Sequence, residues 1–359
     1  MVPPLFTKRD LAQNIRMTTT MLPVEETAEV HPWDAVPAYA VTVEQYRTFR
    51  RDGYLIVRGL VLPEHVDELR AHTEDLLDKK FDVTPWVHAK GGEEPESRLQ
   101  MLHRIHMGHL SIPLWERYLL YPRVLDVVQA LTGPDVLAMQ TMLFMKGPGS
   151  NGQGFHQDSY YIPTFPDSLL GAWIAIDRAD TENGCLWMSP GANAEPIYPP
   201  KHGYGYGDIQ LDGIEYVQGV GGHSNDDNDP NNTLKLIADG YGAREVPAVM
   251  EPGDVAFFGG HIFHRSLKNR SETRMRRSFV NHYCNARSFT SWGGGNEALI
   301  LARGNTHMPY AMPKFGTPCA ALNPQGSVSD SGFVPEMMMA TPGGVMAPQE
   351  PNLEPHDHE

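Results

Sequence analysis

The sequence predicts a mainly β fold with flanking helices, and two observations carry that prediction. From Asp135 onward the chain reads as short apolar or aromatic segments: DVLAMQTMLFMK, GFHQDSYYI, LLGAWIAIDRA, GCLWMS, DVAFFGG and RRSFVNHYCNA. Turn-forming stretches such as KGPGSNGQG, TENG and SPGAN separate them. Short strands punctuated by Gly/Pro turns build a sandwich or a barrel. Upstream of Asp135 the period changes to that of helices, which places the helices beside the β region rather than between its strands.

Taken in order, residues 1–40 have no period and several prolines, and are expected to form an extended arm. TVEQYRTFRRDG is the first clear element. Thr42 with Gln45 fits a capping box, Tyr46 and Phe49 are an i,i+3 pair, and Gly53 ends the helix. YLIVRGL reads as a buried strand. LPEHVDELRAHTEDLL follows, with Pro63 at a helix start and Val66, Leu69, Leu76 and Leu77 on one stripe. One more helix is expected within 113–132, ending near TGP. The strand region is interrupted at 194–247, rich in Gly, Tyr, Asp and Asn, which reads as an insertion or a lid. The domain is therefore expected to span 41–324, followed by an acidic, mobile tail at 325–359. His356 and His358 in that tail read as solvated.

Composition narrows the function. The chain of 359 residues is long enough for a sizeable core, and 41% hydrophobic with 20% charged residues is the balance of a soluble globular protein. No apolar run approaches the ~20 residues of a membrane helix, and the N-terminus lacks the apolar stretch of a signal peptide. Three cysteines, Cys185, Cys284 and Cys319, suit a reducing cytoplasm rather than a disulfide scaffold. A formal net charge of −15 argues against nucleic acid and anionic membrane as partners and leaves a small molecule as the expected one. Oligomeric state is not encoded in any feature of the sequence. Residues 265–277 nevertheless carry six basic residues against one acid. Such a cluster is a salt-bridged face or an anion site, and the former is the default.

His156 and Asp158 stand two apart in GFHQDSYYI. On a strand that spacing puts an imidazole and a carboxylate on one face, a suitable start for a divalent transition metal. About one His-x-Asp is expected by chance in this composition, so a third ligand decides the matter. The candidates lie in GDVAFFGGHIFHRSLKNRS, at His261 and His264. His264 is followed at +2 by Ser266 and, twelve residues on, by Arg276-x-Ser278 in RRSFVNHY.

At this point the residues resemble the phytanoyl-CoA dioxygenase family of Fe(II)- and 2-oxoglutarate-dependent oxygenases, over roughly residues 42–290. The matching pieces, in order, are DGYLIVRGL, TGPDVLAMQTMLFMK, FHQDSYYI, LLGAWIAIDRADTENGCLWMSPGAN and PGDVAFFGGHIFHRSLKNRS with RRSFVNHY. The resemblance implies a double-stranded β-helix, the cupin-like jelly roll. It implies that His156, Asp158 and His264 are the ligands of Fe(II), a two-His-one-carboxylate triad that leaves open positions for 2-oxoglutarate and O2. It implies that Arg276 clamps the far carboxylate of 2-oxoglutarate, since a guanidinium grips a carboxylate bidentately. Arg277 takes that role instead if the preceding loop is one residue longer. Ser278, Ser266, Trp173 and Gln140 match positions near the co-substrate, and Tyr160 and Tyr161 are candidates for the substrate pocket, although plain core explains both tyrosines. Relatives that halogenate replace the carboxylate ligand by a small residue, so Asp158 implies hydroxylation of an unactivated C–H bond with release of succinate and CO2. Desaturation and ring formation start from the same chemistry. Two other classes compete: a redox-neutral jelly-roll metalloenzyme (isomerase or hydrolase), with no use for Arg276-x-Ser278, and a non-catalytic binding module, with no use for the triad either.

Overall fold

The computed structural model of the protein describes residues 35–80, 102–198, 233–241, 245–290 and 299–305, with Trp33, Leu99 and Trp292. The chain divides into two compact units, Met1–Val36 and Pro37–Glu359, and every element below belongs to the second. Most of the arm expected over 1–40, most of the insertion expected over 194–247, and the tail expected over 325–359 lie outside the described residues.

Helix α1, Val43–Asp52, opens with the capping box expected for it: Thr42 Oγ1 accepts from the Gln45 amide at 3.1 Å, and Gln45 Oε1 accepts from the Thr42 amide at 2.9 Å. It stops at Gly53, whose φ of +81° only glycine adopts without strain. Strand β1 (Tyr54–Val57) leads to α2 (Pro63–Leu77), which buries Val66, Leu69 and Leu76. The single helix expected within 113–132 is two, α3 (Pro113–Leu119) and α4 (Pro122–Thr132). Pro122 has no N–H to continue a helix and forces Tyr121 into extended backbone, ψ 119°.

The strands that follow are β2 (Arg104–His106), β3 (Val136–Lys146), β4 (Gln153–His156), β5 (Thr164–Phe165), β6 (Leu170–Ala175), β7 (Leu186–Met188), β8 (Val246–Ala248), β9 (Val255–Gly259), β10 (His264–Ser266), β11 (Arg276–Asn285), β12 (Phe289–Thr290) and β13 (Ile300–Arg303). A short helix α5, Thr233–Asp239, lies between β7 and β8. Two antiparallel sheets carry the architecture. The larger runs β1-β9-β6-β11-β3-β13, with β2 also on β3, and the smaller runs β4-β10-β7-β8. Neighbours far apart in sequence, such as β3 with β11, are the mark of a jelly roll rather than a meander.

Between the sheets lies one apolar core. Phe155, Leu186 and Met188 of the small sheet meet Trp173, Ala175, Ala256, Phe258 and Val280 of the large one. The strand period of two sorts β11 cleanly. Phe279 packs edge-on against Trp115 and Tyr118 of α3, and Asn281 and Tyr283 bond the carbonyls of Tyr118 and Leu119. Arg276, Ser278, Val280 and His282 therefore occupy the opposite face, toward the small sheet. At the far end of β7, Tyr198 and Tyr241 both donate their hydroxyls to the carboxylate of Glu195. No helix among the described residues is long and apolar enough to cross a membrane.

Candidate metal centre and active site

The small sheet brings two of the three expected ligands together directly. His156 ends β4, His264 begins β10, and the two are cross-strand partners with ring centroids 4.1 Å apart. Asp158 arrives differently from expectation. The strand anticipated through GFHQDSYYI stops at His156, and Asp158–Tyr160 is a turn of 3-10 helix. Gln157 between them keeps extended backbone, φ −120° and ψ 128°, so the two-residue spacing still turns both side chains the same way. Gln157 is fixed by its amide, which donates to the carbonyls of Pro196 and His261.

One atom from each of His156, Asp158 and His264 falls within a sphere of mutual distances under 4.8 Å, and all three residues are buried. His156 Nε2 lies 3.6 Å, and His264 Nε2 3.7 Å, from Asp158 Oδ1. Each imidazole is oriented from behind: His156 Nδ1 donates to the Gly154 carbonyl at 2.9 Å, and His264 Nδ1 to that of Ile262 at 3.2 Å. Protonating Nδ1 leaves each Nε2 with its lone pair, the tautomer a metal requires; that of His156 accepts from the Gln153 amide at 3.1 Å, a bond a metal would displace. Burial opposes ionisation of Asp158. When His264 and His156 are protonated, their charge, together with a hydrogen bond from His282, outweighs it and holds the carboxyl well below the usual carboxylate range; with both imidazoles neutral, as a metal requires, the His282 bond remains. Two neutral imidazoles and one carboxylate, with the remaining directions open, are the donor set of a non-haem iron site. The other histidine candidate is engaged elsewhere. His261 Nδ1 donates to the Glu195 carbonyl at 2.8 Å, and its Nε2 lies 3.3 Å from Asp167 Oδ2.

The two arginines of RRSFVNHY separate by face. Arg277 bonds both oxygens of Asp177, at 2.8 and 2.9 Å, and also reaches Thr73 and Glu74. Arg276 points inward, 3% exposed, with its guanidinium 5.3 Å from the centre of the Trp173 ring and Nη1 donating to Ser278 Oγ at 3.1 Å. Its Nε is buried without a partner, and burial lowers its pKa to about 10. An orphaned donor on a buried cation fits a carboxylate ligand. Two of the other four basic residues in the cluster are salt-bridged: Arg265 to Glu245, and Arg274 to Asp180 and Glu182.

Ser266 Oγ accepts from Lys146 Nζ at 3.0 Å. Gln140 reaches His282 at 3.4 Å, and its Oε1 has no hydrogen-bond partner. Tyr160 and Tyr161 meet edge to face at 4.7 Å, and Tyr161 packs on the cluster of Leu137, Met139, Ile162 and Leu169. Sequence reasoning missed two residues here. His282 could have been found by counting twos from Arg276 along one strand. Lys146 could not, because its neighbourhood depends on which strand lies beside β11.

Comparison with known proteins agrees with this geometry. The family model described as phytanoyl-CoA dioxygenase (PhyH) matches residues 49–278, more than half of the chain. The chain belongs to the PhyH family of Fe(II)- and 2-oxoglutarate-dependent oxygenases. It is 28% identical over 254 residues to the peroxisomal phytanoyl-CoA dioxygenase of Rattus norvegicus, covering 68% of each chain. It is equally 28% identical over 266 residues to a probable phytanoyl-CoA dioxygenase of Caenorhabditis elegans, covering 68% of this chain and 76% of that one. Among solved structures, the fold is shared with EctD from S. alaskensis (TM-score 0.52, 20% identity, 68% of this chain and 77% of that one). It is shared too with the carbocyclase SnoK from nogalamycin biosynthesis (TM-score 0.52, 21% identity, 69% and 86%). The β architecture of the PhyH chain is thus the double-stranded β-helix expected from the sequence.

Proposed function

We propose that this PhyH-family oxygenase hydroxylates an unactivated C–H bond of a small-molecule metabolite, converting 2-oxoglutarate and O2 to succinate and CO2. The observation that carries the reading is the pairing of two features between the same two sheets: the converging Nε2, Nε2 and Oδ1 of His156, His264 and Asp158, and the buried Arg276 on the inner face of β11 with a donor to spare. When bound, Fe(II) and 2-oxoglutarate supply the activation of O2 for C–H oxidation. The chain supplies the rest. His156 and His264, with their tautomers set by the carbonyls behind them, and Asp158, oriented by His282, hold the metal. Arg276, levelled by Trp173 and Ser278, fixes the co-substrate at its far end, with Ser266 beside it. Phe155, Phe258, Met188 and Val280 exclude water from the space between the sheets. Gln140, whose Oε1 is buried without a partner while its amide nitrogen contacts His282 at 3.4 Å, stands with Ser278, Ser266 and Trp173 as a co-substrate contact.

A redox-neutral enzyme on the same jelly roll would keep the triad and leave Arg276 without a task. The free, buried thiols of Cys185 and Cys284 support the cytoplasmic placement read from the sequence. The test is succinate formation by the purified protein with Fe(II), 2-oxoglutarate and O2, beside His264→Ala. Iron-dependent succinate lost in the variant, then a product one oxygen heavier in a substrate screen, is the expected result. Failure of the anaerobic Fe(II) protein to bind 2-oxoglutarate would transfer the assignment to the redox-neutral class.

A further inference from the structure

Building on the 2-oxoglutarate reading above, we propose that Lys146 is a second cation for the far carboxylate of the co-substrate, working opposite Arg276 and recruiting a proton as the anion binds. The register of the large sheet places the two residues directly across from each other, Arg276 on β11 and Lys146 on β3. Both are buried, at 3% and 8% exposure. Like charges facing each other in an antiparallel pair repel, and a buried cation is normally matched by an acid. Neither has one among the described residues. Lys146 Nζ donates to Ser266 Oγ at 3.0 Å and to the Leu267 carbonyl at 2.7 Å, and Arg276 donates to Ser278. Two titratable groups act on the pair from neighbouring elements: Cys185, which faces both cations but whose thiol, pushed up to about 11 by burial, stays neutral, and Asp177, which acts on Arg276 and is engaged by Arg277.

The position of the amine is also built rather than accidental. Gly184, at φ +81°, lies against the lysine: a Cβ there would sit 3.2 Å from Lys146 Nζ and 2.4 Å from the Leu267 carbonyl oxygen. A side chain at 184 would collide with the Leu267 carbonyl that accepts from the amine and press the lysine by a few tenths of an ångström. The two serines that hold the cations, Ser266 and Ser278, are the two placed beside the co-substrate. A dibasic pocket with hydroxyls and no acid is shaped for a carboxylate at the end of a short chain.

This pairing has a thermodynamic signature. In the empty site, burial first and Arg276 second depress the Lys146 ammonium to about 6, so at pH 7.5 it is mostly a neutral amine. Its two hydrogen bonds are both donated, which a neutral amine can do. A bound carboxylate favours the charged form, so binding takes up a proton, and affinity falls as pH rises above the empty-site value.

Calorimetry on the anaerobic Fe(II) protein tests this, in buffers of different ionisation enthalpy. The probes are 2-oxoglutarate and 2-oxovalerate, which replaces the far carboxylate by a methyl group. For 2-oxoglutarate the wild type should take up close to one proton between pH 7 and 8, with Kd rising by up to ~tenfold per pH unit. With 2-oxovalerate it should take up none. Lys146→Met should bind 2-oxoglutarate at least ~tenfold more weakly at pH 7, without proton uptake, and bind 2-oxovalerate like the wild type. It should still unfold cooperatively, somewhat below the wild type, since the methionine fills the space of a largely neutral amine but forfeits its hydrogen bonds to Ser266 and Leu267. A wild type that prefers 2-oxoglutarate but takes up no proton, or a Lys146→Met protein that matches it in both respects, would leave Arg276 as the sole clamp and overturn the proposal alone. A wild type that treats the two acids alike would overturn the 2-oxoglutarate reading and this proposal together.

Discussion

His282 Nε2 donates to Asp158 Oδ2 at 3.0 Å, leaving Oδ1 of the same carboxylate to face the two histidine nitrogens. The bond joins the large sheet to the turn after β4, across 124 residues of sequence. It divides one carboxylate between two duties, an oxygen for orientation and an oxygen for the metal. Removing such a supporting partner typically weakens metal binding by ~10–100-fold. His282→Ala should therefore bind Mn(II) or Co(II) less tightly by about that factor while still folding. An affinity equal to that of the wild type would show that the turn positions Asp158 unaided.

Arg276 and Arg277 should fail in opposite ways. Arg276→Leu should melt close to the wild type yet lose 2-oxoglutarate binding by two orders of magnitude or so, because a buried charge-assisted pair is forfeited. Arg277→Leu should leave Asp177 with only the backbone N–H of residue 277 and the Arg70 guanidinium 3.7 Å away, a loss of about 1–3 kcal/mol, with a lower melting temperature and co-substrate binding retained in the folded fraction. Glu74 is half exposed and adds little. Exchanged phenotypes would mean that the face assignment of β11 is reversed.

Gly152 precedes β4, and a Cβ there would sit 2.1 Å from the backbone carbonyl oxygen of Ser266 on β10. Backbone cannot step aside as a side chain can. Gly152→Ala should force apart the two strands that carry His156 and His264, at a stability loss of about 1–3 kcal/mol and with a visible loss of metal affinity. Metal binding as tight as in the wild type would show that the histidine separation is not set by that contact.

Acid should weaken the scaffold partly through His72. Burial lowers the pKa of this imidazole, with Asp75 and Glu68 opposing, and its Nε2 accepts from Trp115 Nε1 at 2.8 Å. Its folded pKa lies below the unfolded value of about 6.5, so the unfolded chain binds more protons and stability falls as pH drops through ~6.5. His261 has the opposite sign, since its hydrogen bond to Asp167 raises its pKa, and its contribution is present at low pH and lost as pH rises. In melts from pH 7.5 to 5.5, His72→Gln should lose less melting temperature than the wild type over that span. An unchanged slope would place the acid sensitivity elsewhere.

Local rules made much of this protein readable. The Thr42 box and Gly53 bracket α1 because caps act within a few residues, and β11 is legible as one of the short apolar or aromatic segments of the strand region. The triad was legible because His-x-Asp and the later histidine keep their order in the family motifs. The break at Pro122 is written in the sequence by the missing N–H, whereas a single helix over 113–132 would have to run through it. The turn at Asp158 was hidden because SYYI has strand propensity, while its actual backbone follows from Ser159 N bonding the Gly260 carbonyl, a contact across the fold. Lys146 against Arg276 was beyond reach for the same reason: 130 positions separate them, and only the register of β3 on β11 brings them together.

The carboxylate of Glu195 receives Tyr198 from one side and Tyr241 from the other, so the stretch of chain between those tyrosines leaves and returns at a single anchor. Closing a loop on a fixed anchor grows only slowly in entropy cost with length. Within that stretch, however, α5 returns to the core and buries Leu234 and Ala238 between the sheets. A change of length that the anchor tolerates must therefore fall before α5. The helix acts as a second tether, and it ties the end of the excursion to the same core that spaces His156 and His264.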